Sequence, residues 1–109
     1  MITTHVLDTA LGKPAAHMSA KLEYHQGEAW RAVGQGTTDA DGRIRDWMTE
    51  PLLQGTYRIT FQTGSYFESQ KRPTFYPMAV IVFHVVDPQQ HYHVPLLLSG
   101  YGYSTYRGS

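Results

Sequence analysis

His91 and His93 stand two apart in His91-Tyr92-His93-Val94-Pro95-Leu96-Leu97-Leu98, a spacing that puts both imidazoles on one side of a strand. Tyr92, Val94, Leu96 and Leu98 alternate with them as the apolar row that a core would take. His93 therefore projects from the non-core face, where an imidazole that titrates near neutral pH could move protons. Leu97 shares that face and would sit poorly in open water, so a partly covered second surface, such as a subunit interface, accounts for both residues. His5 pairs with Leu7 in the same way within residues 2–8. Arg43 directly follows the turn Asp39-Ala40-Asp41-Gly42, and the chain closes on Tyr106-Arg107-Gly108-Ser109. Each of these has a bland reading: a histidine satisfied within the fold, a solvated charge, a loose end.

Other chemistries find less support. His91 and His93 suggest a metal, but no carboxylate or third histidine lies at supportive spacing for zinc, and thiolates are absent because the chain has no cysteine. His17, His25 and His84 are read as structural. There is no Gly-rich phosphate loop, nucleophile elbow or carboxylate pair. Nine basic and nine acidic residues cancel, which argues against nucleic acid or an anionic membrane as partner. The longest apolar run, Met78 to Val86, is too short to span a bilayer. With no leader pattern after Met1, the expected compartment is the cytoplasm; a cleaved leader ahead of this numbering would move it to the periplasm.

The elements that must carry these residues are short strands. The 109 residues fit one domain. Strand patterns run over 2–8, 17–25, 30–37, 56–62, 79–86, 91–98 and 101–106, with a short strand starting at Arg43. Leu11-Gly12-Lys13-Pro14 and Asp39-Ala40-Asp41-Gly42 read as turns. Residues 79–86 are apolar on both faces, as expected of a central or covered strand. One helix is predicted over about 65–71, with Ser65 and Glu68 at capping-box spacing and Pro73 ending it. Together these give a β-sandwich with the helix in a connection between strands. Composition and pattern stop there, at a sandwich with a histidine-lined second face.

Three stretches carry a resemblance that spans nearly the whole chain. His91 to Ser99 followed by Gly102 to Ser109 resembles the C-terminal signature of the 5-hydroxyisourate hydrolase family, the transthyretin-related enzymes of purine degradation. Thr4 to Ala15 resembles the family's N-terminal signature, and Thr38 to Arg43 its central one. The terminal Tyr-Arg-Gly-Ser separates the enzymes from the transthyretins. The resemblance implies an all-β sandwich of two four-stranded sheets over residues 1–109, assembled as a homotetramer with active sites between dimers. It implies His5, Arg43, His93 and Ser109 as the catalytic set, with Tyr106, Arg107, Gly108 and Leu97 binding substrate, and neither metal nor cofactor. The implied reaction opens the 5-hydroxyisourate ring by general acid–base catalysis at a water, with either histidine as the base. The alternative is a non-catalytic carrier of a small aromatic ligand.

Overall fold

The computed structural model describes residues 1–109 as two β-sheets packed face to face, with one helix in a connection. The strands are β1 (Ile2–Asp8), β2 (Lys13–Pro14), β3 (Ser19–Gln26), β4 (Ala29–Thr37), β5 (Arg43–Ile44), β6 (Gly55–Phe61), β7 (Ala79–Val85), β8 (Tyr92–Ser99) and β9 (Gly102–Thr105); α1 is Thr63–Ser69. The first sheet runs β2-β1-β8-β9, with β5 also paired to β1, and the second runs β4-β3-β6-β7. The first sheet thus has five strands yet is four strands wide. Two-residue β2 and β5 occupy successive stretches of one edge of β1, at Leu7↔Pro14 and His5↔Arg43.

Parallel pairing of β1 with β8 brings together the two ends of the chain, in register from Ile2↔Tyr92 to Asp8↔Leu98. Period-2 alternation then sorts both strands. Ile2, Val6, Tyr92, Val94, Leu96 and Leu98 are buried in the core, with Leu22, Ile59, Phe61 and Val85 facing them from the second sheet. Burying a side chain of this kind contributes roughly 1.5–3 kcal/mol. The opposite row, Thr3, His5, Leu7, His93 and Leu97, lies on the outer face.

Two expectations change. The helix starts before Ser65, with Gln62 as its N-cap and no side-chain cap. Its first turn is held from the following loop: Thr63 Oγ1 and Gly64 N–H donate to the carbonyls of Tyr76 and Pro77 at 3.3 and 2.9 Å. The stop comes ahead of Pro73. Lys71 adopts φ 55°, and the Lys71 and Arg72 amides donate back to Glu68 and Phe67 at 3.0 Å each, a Schellman close. Strand β7 is not central but the edge of its sheet. Ala79, Ile81 and Val85 are buried, whereas Val80, Val82 and Val86 are exposed. Apolar residues on both faces therefore do not mark a central strand here: one face packs on the core and the other is open in the single chain.

The helix also anchors β1. Asp8, fully buried at the strand's end, accepts hydrogen bonds from Tyr66 Oη at 2.8 Å and Arg72 Nη1 at 2.7 Å. Burial pushes its carboxyl pKa up, but the hydrogen bonds from Arg72, Tyr66 and the Leu11 amide outweigh that and hold it below the ordinary value. No helix is long and apolar enough to cross a membrane.

Candidate active site

On the outer face of the first sheet, β1 lies between β5 and β8, so its register fixes what meets what. His5 stands opposite Arg43 on one side, and Thr3 opposite His93 on the other. Extending the β1–β5 ladder by one residue brings Arg45 level with Thr3. The imidazoles of His5 and His93 are 6.5 Å apart between centroids, and those of His91 and His93 6.4 Å.

The turn before Arg43 is shaped to deliver it. Asp39 Oδ1 accepts the amides of Asp41 and Arg43 at 2.9 Å each, and the Gly42 amide donates to the Asp39 carbonyl at 2.9 Å. Gly42 has φ +76°, and a Cβ there would collide with the Val6 carbonyl, which is the close approach glycine permits. The Gly42 carbonyl accepts from the Val6 amide at 2.8 Å, so the Asp-Ala-Asp-Gly-Arg element is locked onto β1.

The C-terminal tail plays the same part for His93. Residues 106–109 continue past β9 in its register, and Gly108 bridges to His93, its amide donating to the His93 carbonyl at 2.8 Å. A Cβ on Gly108 would lie 2.7 Å from His93 Cδ2. Gly108 is therefore the surface against which the His93 ring is seated. Ser109 follows, into a cavity of about 190 Å³ lined by Thr3, Thr4, Arg43, Arg45, His91, His93 and Ser109, none of them apolar.

Electrostatics suit proton transfer. Burial lowers the His93 pKa first, then the positive charge of Arg43 and the neighbouring His5 and His91. Burial likewise lowers that of His5, followed by Arg43, with the Asp41 backbone, Asp39 and Asp41 pulling the other way. Both rings are thus held neutral further into acid than a free imidazole. Sequence reasoning anticipated the contribution of Arg43; burial is the larger cause.

Of the eight residues implied from sequence, Arg43, His93 and Ser109 line this cavity, His5 borders it and Gly108 backs it. Leu97, Tyr106 and Arg107 lie elsewhere in the single chain. Leu97 lines a shallow hollow with Thr9, Ser99, Gly102, Tyr103 and Ser104. Tyr106 and Arg107 line a cleft between the sheet edges at β7 and β9. There the Arg107 guanidinium stacks 4.4 Å over the Tyr92 ring and donates to Gln90 Oε1 at 3.0 Å. Thr3, Thr4, Arg45 and His91 were not anticipated as site residues. Parity was a sufficient signal for Thr3 and His91, and the i, i+2 spacing from Arg43 was one for Arg45.

A two-sheet sandwich with a His/Arg pocket on the outer face of one sheet defines a transthyretin-like architecture with hydrolase-type side chains. The comparisons with known proteins agree. The family model described as "HIUase/Transthyretin family" matches residues 2–108, and the chain belongs to that family. It is 47% identical over 110 residues to a 5-hydroxyisourate hydrolase of Salmonella dublin, covering 100% of this chain and 81% of that protein. The structure of Klebsiella pneumoniae 5-hydroxyisourate hydrolase superposes with a TM-score of 0.87 at 34% identity, over 99% of this chain and 98% of that one. Sea bream transthyretin in complex with thyroxine gives 0.91 at 32% identity, over 98% and 93%.

Proposed function

We propose that this chain hydrolyses 5-hydroxyisourate to 2-oxo-4-hydroxy-4-carboxy-5-ureidoimidazoline, a step of urate degradation. The observation that carries the reading is the convergence of Arg43, His93 and Ser109 on one polar cavity bordered by His5, in a chain whose similar relatives carry that enzyme's name.

Opening a cyclic amide needs an activated water, a stabilised oxyanion and a proton for the leaving nitrogen. A neutral histidine, His5 or His93, takes the proton from water and later returns it to nitrogen. Arg43 offers planar, charge-assisted donors to an electron-rich oxopurine ring and to the oxyanion that forms on it. Ser109 positions water or a ring oxygen through its hydroxyl.

The active form is a homotetramer in the cytoplasm, with the histidine-bearing faces of two dimers opposed. Leu7 and Leu97 beside the histidines, and the exposed valines of β7, are the surfaces such an assembly would cover. Tyr106 and Leu97 would meet substrate from that assembled interface, whereas Arg107 holds the tail over Tyr92. A carrier role is favoured by the thyroxine complex of the sea bream relative. The wholly polar lining of the cavity suits an oxopurine better than an apolar hormone.

The test is ultraviolet absorbance while urate oxidase generates 5-hydroxyisourate in situ. The chain should speed decay of the intermediate beyond its spontaneous rate. Decay unchanged at micromolar protein would leave the carrier reading standing in its place.

A further inference from the structure

The hydroxyl of Thr3 lies 2.7 Å from His93 Nδ1 and 2.7 Å from His91 Nε2. Both contacts follow from the parallel register, which places Thr3 beside His93 and so within reach of the next histidine on the same face. Thr3 is almost wholly buried, so these two rings are its partners in place of water. A hydroxyl has one proton and can accept as well as donate. With these two imidazoles as the only hydrogen-bond partners of its side chain, Thr3 gives its proton to one ring and accepts an N–H from the other.

Two arrangements satisfy both contacts and also use the hydroxyl proton when the rings are neutral; if both rings donated, that proton would have no partner in the chain. In the first, His93 carries its proton on Nδ1 and donates to Thr3, which donates to a bare Nε2 of His91. His93 Nε2 is then a lone pair, able to accept a proton. In the second, His91 donates from Nε2, Thr3 donates to His93 Nδ1, and the His93 proton sits on Nε2, where no base remains. The nitrogen of His93 that does chemistry is thus decided at His91, two residues along the strand.

We propose that Thr3 is a positioning residue for the reaction: its hydroxyl couples the tautomers of the two histidines, and the acceptor at His91 Nε2 keeps His93 in the form whose Nε2 is the base. The assignment rests on the proposed hydrolase reading and singles out His93 over His5. His91, at the exposed end of the chain of contacts, sets the tautomer through Thr3. Gly108, packed against Cδ2, holds the ring plane while Thr3 holds the proton.

The test pairs histidine side-chain nitrogen NMR with steady-state kinetics on the full chain. In the parent, His93 should show a protonated Nδ1 and a bare Nε2. Thr3→Val keeps the β-branched shape and removes the hydroxyl. His91→Phe, at an exposed position, removes the acceptor and leaves Thr3 free to donate to His93. Thr3→Val should mix the two His93 tautomers, and His91→Phe should reverse them. Both should lower kcat by roughly 3–10-fold, the worth of one hydrogen bond, with KM little changed. Thr3→Ser, which restores the hydroxyl, should recover the parent tautomer and most of kcat. Parent-like nitrogen shifts and kcat in both Thr3→Val and His91→Phe would overturn the proposal, as would Thr3→Ser behaving like Thr3→Val. The tautomer readout needs no turnover. A chain that opened no ring would therefore sink the hydrolase reading and leave the coupling to be judged by the nitrogen shifts alone.

Discussion

The outer-face pocket and the edge cleft both draw on β8 and the C-terminal tail and share almost no chemistry. The pocket is wholly polar, carries two arginines and two histidines, and is completed by Thr3, Thr4 and Ser109. The cleft at the β7 and β9 edges is walled mainly by Ile81, Val82, Phe83, Val86, Tyr92 and Val94. The tail passes from the cleft to the pocket along its length. Arg107 goes to the cleft, while Gly108 and Ser109 go to the pocket. Three consecutive signature residues therefore divide their work. Arg107 pins the tail over Tyr92, Gly108 seats His93, and Ser109 faces the cavity.

That division is easy to break, starting at the pocket. His93→Ala should lower ring-opening turnover by about 10²–10⁴-fold, the usual contribution of a general acid–base group, while size-exclusion mass is unchanged. Arg43→Gln removes a charged donor from the forming oxyanion and should cost about 10²–10³-fold in kcat. It should also displace the acid limb of the pH–rate profile. A neutral histidine is the active form, and its pKa is lowered in part by Arg43. Turnover therefore rises as pH climbs through a pKa below the ordinary 6.5 or so. Loss of Arg43 moves that limb to higher pH, though not all the way, because burial is the larger cause and persists. Gly108→Ala removes no pocket side chain but pushes its Cβ into the His93 ring. A drop of about tenfold is expected there, since small misplacements of a reacting group are expensive. Arg107→Ala, on the cleft side, removes a largely exposed charge and should change kcat/KM by no more than about threefold at the same protein concentration.

Much of this was legible from residue order alone. Alternation in 2–8 and 91–98 separated core from site face, because one side of each strand had to be buried and the other carried histidines. The turn 39–42 announced Arg43 through residue types that suit a tight reversal. The position of β7 was not legible, since period-2 patterning reports that a face is apolar and not whether its own chain covers it. The helix start was misplaced because Ser65 and Glu68 have the right spacing, yet loop carbonyls at Tyr76 and Pro77 had already taken the first donors. Arg107 is grouped with the pocket on motif likeness, but in the single chain its guanidinium stacks over Tyr92 in the cleft, a partner that motif likeness does not reveal. Thr3 was visible as a residue on the right face, but its link to both histidines depends on a parallel register that no local pattern encodes.

The most direct test of the division between pocket and cleft is where an oxopurine binds. Uric acid, a stable analogue of the ring that is opened, can be titrated into the isotopically labelled chain while side-chain and amide resonances are followed. The account predicts shifts at Thr3, His5, Arg43 and His93, with Val82 and Tyr92 unmoved at saturating ligand. Shifts centred on Val82, Tyr92 and Arg107, with the histidines silent, would contradict it.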